Sequence, residues 1–158
     1  LPHLPLFTNK KYKPISKKME TNIFIHFECA FQIIDENNYI DWIKKAVSQE
    51  ERTIKELNFI FCSDADLHEK NLRFLQHDTF TDIITFDYSE NETLHGDIFI
   101  SVDRVKENAS TFAVALEQEM KRVMIHGVLH LLGYNDKSPE EKEIMTNKEN
   151  FYINQFTN

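Results

Sequence analysis

The way helical and strand patterns alternate along this chain predicts one α+β (mixed α/β) domain, a small mixed sheet of about four strands packed by about five helices. Three observations lead there. The chain has 158 residues, 41% of them hydrophobic and 28% charged, which suits one folded core rather than several domains or a disordered chain. The patterns run β-α-β-α-β-β-α-α-α, without repeats, low-complexity tracts or an internal linker. Glycine is scarce: 3 residues, where average usage of ~7% would give roughly eleven. That shortage argues against an all-β fold of many tight turns and excludes the Gly-rich phosphate loops of nucleotide-binding proteins.

Each element has its own signal. Ile23, Ile25 and Phe27 alternate, as in a strand near 22–28. Tyr39, Ile40, Ile43, Ala46 and Val47 recur at helical spacing within 36–51. The apolar run from Leu57 to Cys62 reads as a second, buried strand. Ser63-Asp64-Ala65-Asp66 opens a helix that carries Leu67, Leu72, Phe74 and Leu75. Ile83, Ile84 and Phe86 predict a third strand, and Ile98 to Val102 a fourth. A helix follows near Asp103, and Ser110 or Thr111 can cap a longer one that reaches Leu132. Ser138-Pro139-Glu140-Glu141 places a Ser cap, Pro at the first helical position and Glu at the third. That last helix is expected to bury Ile144, Met145, Phe151 and Tyr152.

Charge is unevenly spread. Residues 1–18 hold five Lys and no acid, which leaves 13 basic against 26 acidic residues in the rest, a net −13. Segment 1–18 is expected to be a disordered basic extension preceding a possible start at Met19, with 19–158 as the single domain. The acidic body argues against broad, nonspecific nucleic-acid binding and confines any such contact to a local patch. Cys29 and Cys62 lack metal or redox spacing and read as buried free thiols in a reducing, cytoplasmic setting. No apolar run approaches the ~18 residues of a membrane span.

The chemistry concentrates in Val123–Asp136. From Val123 to Leu132 every helix face is apolar except at His126 and His130, so this central helix should be buried. Spaced i, i+4, the two imidazoles share one face, one turn apart. A buried polar group without a partner costs ~1–3 kcal/mol, and one metal ion satisfies both rings at once. The bland alternative is a pair of core histidines satisfied by hydrogen bonds. Gly133 suits the left-handed turn that ends a helix and lets Asp136 come back as a third ligand. Three protein ligands leave a position open, as in catalytic zinc sites. The spacing of His126, His130, Gly133 and position 136 is that of metzincin zinc peptidases. Those enzymes carry a Glu base after the first His, whereas this chain has Gly127.

His126-Gly127-Val128-Leu129-His130-Leu131-Leu132-Gly133-Tyr134 resembles the signature of the YbeY endoribonuclease family. Thr81-Asp82-Ile83-Ile84-Thr85-Phe86 is similar to that family's T-D-V-L-S-F strand, Gly96-Asp97-Ile98 to its G-D-I strand, and Met145 with Glu149 to the M-x-x-x-E of its last helix. The resemblance covers roughly residues 20–156. It implies a zinc-dependent, single-strand-specific endoribonuclease working in 16S ribosomal RNA 3′-end maturation and ribosome quality control, in the cytoplasm. Single-stranded and ribosomal RNA and the small ribosomal subunit are its implied partners. It implies one Zn²⁺, other divalent metals being possible, and ligand and catalytic roles for His126, His130 and Asp136.

Two positions depart from the family pattern. The third ligand is usually His where this chain has Asp136, an anion that should favour harder metals such as Mn²⁺. The family's Arg before the T-D strand falls on Leu75, with Arg73 two residues away. Asp82 and Asp97 are expected to make turn or supporting hydrogen bonds, and His77, beside Asp78, to be a surface loop residue. Leu75 and the acidic body keep open a ribosome-associated binding factor with a structural metal. The metzincin-like zinc peptidase is the other alternative, and Gly127 argues against it.

Overall fold

Four strands and five helices follow one another in the computed structural model, which describes residues 22–77 and 81–157. The basic segment 1–18 and Asp78 lie outside the described residues. The elements are β1 (Ile23–Phe27), α1 (Glu36–Gln49), β2 (Thr53–Cys62), α2 (Asp64–Leu75), β3 (Ile83–Asp87), β4 (Thr93–Ser101), α3 (Val102–Phe112), α4 (Leu116–Leu131) and α5 (Pro139–Ile153). The sheet order is β1-β2-β4-β3. β1 and β4 both run parallel to β2, and β3 closes the edge antiparallel to β4. Among the described residues no helix is long and apolar enough to cross a membrane.

Strand alternation divides the sheet into two unequal faces. Leu57, Phe59 and Phe61 of β2 and Leu94, Ile98 and Ile100 of β4 join one large core with α1, α3, α4 and α5. Among the described residues, the odd-numbered face of β4 and its neighbours meet α2 through a small cluster of Cys62, Leu67 and Ile84. α4 lies in the large core, where Val123, Met124, Ile125, Val128 and Leu129 are all buried, as its all-round apolar sequence requires.

Two glycines set how closely α4 approaches the sheet. A Cβ on Gly127 would stand 2.8 Å from Ile83 Cδ1 and 2.9 Å from Ile98 Cγ2. One on Gly96 would stand 2.7 Å from the Phe86 carbonyl oxygen and 3.0 Å from Leu131 Cδ1. Helix and sheet therefore approach closely at these points, with Ile83 and Ile98 packed onto Gly127 and Leu131 packed onto Gly96.

Several boundaries differ from the sequence expectations. β2 begins at Thr53 and β4 at Thr93, because the polar first halves of both strands pair with each other, down to a 3.0 Å Thr53–Thr93 hydroxyl contact. In β2 the apolar run marks only the buried half, whereas in β4 burial alternates from Leu94 onward and the polar residues of the other face interrupt the run. Ser110 and Thr111 cap nothing: they lie inside α3, which is started by Ser101 accepting from Arg104 N. Ala113 breaks the chain in a left-handed conformation, and α4 starts after Ala115 without a side-chain cap. In α5 the buried positions are Met145, Glu149, Tyr152 and Ile153, so Ile144 and Phe151 are left about half exposed on the flanks. Its Ser138–Glu141 capping box with Pro139 forms as expected. Leu72, Phe74 and Leu75 are exposed because α2 covers the sheet along only one narrow stripe, led by Leu67. Cys62 is buried, its thiol pushed up to about 12 mainly by that burial, whereas Cys29 is only half-buried.

Gly96→Ala tests the close approach. Its methyl group meets a ladder carbonyl that cannot swing aside, so stability should fall by about 1–3 kcal/mol. A denaturant midpoint unchanged from wild type would refute the close-packing account.

Candidate metal centre

With Gly127 and Leu131 turned to the sheet, α4 presents His126 and His130 together on a flank that solvent reaches. Their rings stand 4.5 Å apart between centroids and nearly perpendicular. Leu132 ends the helix, and Gly133, at φ 102°, takes a conformation a side chain would strain. Gly133 N donates to His130 O at 3.0 Å and Tyr134 N to Leu129 O at 3.0 Å, which is the Schellman pattern. The chain then doubles back. Asp136 Oδ2 comes to rest 3.3 Å from His126 Nε2 and 3.5 Å from His130 Nε2.

The Nε2 atoms of the two histidines are 2.9 Å apart, so three donor atoms form a compact triangle. Donors of a tetrahedral site at about 2.0–2.1 Å from a metal stand roughly 3.4 Å from one another. Among the described residues His126, His130 and Asp136 are the group whose ligand atoms converge closely enough to hold a metal ion. All three side chains keep partial exposure, so the site is reached from solvent.

A buried carboxylate sets the protonation of this triangle. Glu149, on α5, faces His126 Nδ1 with Oε2 at 2.8 Å and accepts from Arg122 Nη1 on Oε1 at 2.9 Å. Arg122 is held in turn by Asn150 Oδ1 at 2.9 Å. With Nδ1–H given to Glu149, the Nε2 lone pair of His126 is left facing His130 Nε2 and Asp136, open to an N–H of His130 or to a metal ion. Burial alone would push the His126 pKa down. The hydrogen bond and charge of Glu149, with Asp136 and Asp82 behind it, hold it above the usual value. His130 goes the other way: burial and the neighbouring His126 outweigh Asp136 and a hydrogen bond with the Tyr134 backbone. The pair thus titrates apart, which keeps His130 available as a neutral ligand.

The other residues singled out in the sequence separate cleanly. Asp82 lies close enough to act on His126, and its Oδ2 accepts from Asn108 Nδ2 at 3.3 Å. Asp97 belongs to the opposite sheet face, where it accepts from Asn58 Nδ2 at 3.1 Å. Leu75 is the last residue of α2, and the Arg73 guanidinium rests against the Phe74 ring at 5.4 Å. His77 is exposed just beyond that helix. Sequence reasoning assigned no role to Arg122 or Glu149. The available signal was the i, i+4 pairing of Glu149 with Met145, which puts a carboxylate on the buried face of α5.

Comparison with known proteins gives a consistent set of similarities. The family model described as Endoribonuclease YbeY matches residues 24–157. A protein of Flavobacterium psychrophilum named Endoribonuclease YbeY is 49% identical over 127 residues, covering 80% of this chain and 91% of that protein. One of the same name from Amoebophilus asiaticus is 48% identical over 136 residues, covering 85% of this chain and 92% of the relative. The solution structure of TM1509 from Thermotoga maritima matches with a TM-score of 0.65 and 30% identity, over 85% of this chain and 88% of that one.

Glu149→Gln isolates the carboxylate behind His126. Removing its charge should lower the His126 pKa in metal-free protein, read from its ring-proton shifts in an NMR titration. It should also weaken divalent-metal affinity by about 10–100-fold. An unmoved titration would show that Glu149 does not govern the ring.

Proposed function

The chain belongs to the YbeY endoribonuclease family, and on that footing we propose that it is a metal-dependent, single-strand-specific endoribonuclease whose zinc ion is held by His126, His130 and Asp136. Its proposed substrate is ribosomal RNA, its role 16S rRNA 3′-end maturation and ribosome quality control, and its place the cytoplasm beside the small subunit. Residues 19–158 act as one domain, and 1–18 as a basic extension to it.

The observation that carries this reading is the three-donor triangle at a solvent-reached edge of a buried helix. Structural zinc sites are closed by four protein ligands, whereas three leave a place for water or substrate. That favours an enzyme over a binding factor with a purely structural metal. A zinc ion there supplies Lewis acidity toward a phosphoryl oxygen and toward water. The protein's own part is positional and electrostatic. Arg122 and Glu149 hold the His126 ring and its tautomer, and the Tyr134 backbone holds His130. Asp136 contributes a negative charge where most of the family has an imidazole, which lowers the net charge of the site by one. Gly127 occupies the position where a metzincin has its Glu base, and its contacts with Ile83 and Ile98 leave no room for one. This disfavours peptide hydrolysis.

Zinc-reconstituted protein should cleave single-stranded RNA and leave duplex RNA and casein intact. His130→Ala should abolish the cleavage, and a chelator should stop it in the wild type. Equal RNA degradation by wild type and mutant would refute the proposal. Asp136→His should shift the ratio of zinc to manganese affinity toward zinc, as softer nitrogen replaces oxygen. Equal ratios would remove any role for the Asp136 charge in metal choice.

A further inference from the structure

The Glu50 carboxylate, just past the end of α1, is not part of the donor triangle but is one of the more heavily bonded polar groups of the fold. Its side chain is only 14% exposed. Oε1 accepts from the Tyr152 hydroxyl at 2.6 Å and from Lys148 Nζ at 2.9 Å, and Oε2 accepts from the Tyr134 hydroxyl at 3.0 Å. Burial would raise its pKa, yet these three donors hold it below the usual carboxylate range, so it is charged at neutral pH. The Lys148 ammonium also lies 5.4 Å from the Tyr134 ring centroid.

Tyr134 stands in the short return between His130 and Asp136. Its N–H closes the Schellman turn on Leu129, and its backbone hydrogen-bonds the His130 ring. The Tyr134 hydroxyl ties this return to the rest of the fold through Glu50, with Lys148 of α5 as a second side-chain partner. The other two donors, Lys148 and Tyr152, belong to α5, the helix that also presents Glu149 to His126. One carboxylate thus joins the segment that delivers Asp136 to the helix that orients His126.

We infer that Glu50 is a positioning residue of the metal site, acting through Tyr134 to fix the return loop that places Asp136 and orients His130. The inference rests on the proposed ligand role of His126, His130 and Asp136. Its signature is metal affinity that depends on a bond made far from the metal donors.

The test compares wild type, Tyr134→Phe, Glu50→Gln and the double variant, with His130→Ala as the site control. Zinc affinity is measured by competition with a chromophoric chelator, and the melting temperature is taken on metal-free protein. Tyr134→Phe removes one hydroxyl and keeps the ring in place, so it stays informative even if Glu50→Gln folds poorly. Each single variant should bind zinc about tenfold or more weakly, as loss of a group behind a metal ligand does. The double variant should be no weaker than the poorer single one, because both break the same bond. Cleavage should fall at limiting zinc and recover in excess. If Tyr134→Phe binds zinc within twofold of wild type, whatever its melting temperature, Glu50 serves the fold alone and the inference fails. If wild type does not bind zinc, or His130→Ala binds equally well, the ligand assignment itself fails and this inference with it.

Discussion

Two imidazoles one turn apart on a helix with no other polar group on its inner stretch are the constraint around which this protein is arranged. His126 and His130 cannot be left unpartnered in an apolar setting, and each offers the other no more than one hydrogen bond, between Nε2 atoms 2.9 Å apart. Everything nearby resolves that conflict. The helix is pressed to the sheet at Gly127, so the histidines turn to the flank rather than into the core. The Schellman turn at Gly133 then brings a carboxylate back over them.

Charge is organised around the same pair. Acidic groups surround His126 in the form of Glu149, Asp136 and Asp82, while Arg122 is the cation set against Glu149. The two histidines are driven in opposite directions, His126 up by its carboxylates and His130 down by burial and by His126. A site rich in carboxylates and poor in cations is one that a divalent metal would balance. Part of the −13 of residues 19–158 thus lies around the candidate metal donors.

The sheet below needed little to be recognised, and the failures of recognition share a cause. Apolar runs located the second halves of β2 and β4 and missed the halves where Thr53 meets Thr93, because exposed polar residues dominate the start of β2 and alternate with Leu94 and Gly96 in β4. Ser110 and Thr111 resembled caps, but α3 was already running through them from Ser101, and capping chemistry acts only where a helix happens to begin. Ile144 and Phe151 fit a helical period as well as Met145 and Tyr152 do. Which of the two stripes faces inward depends on where α4 lies, and periodicity alone does not contain that.

The convergence of the candidate donors was legible because it is local: His126, His130, Gly133 and Asp136 lie within eleven consecutive residues, and helix pitch with one left-handed turn brings the three side chains together. The apolar strand segments, the central helix and the capping box of α5 were set by similarly local patterns. Tertiary structure decided which groups bond to these residues from elsewhere in the chain. Glu149 reaches His126 from 23 residues away, and Glu50 reaches Tyr134 across 84. Such bonds depend on how α1 and α5 pack around α4, a product of the whole hydrophobic core, and no spacing in the sequence records it.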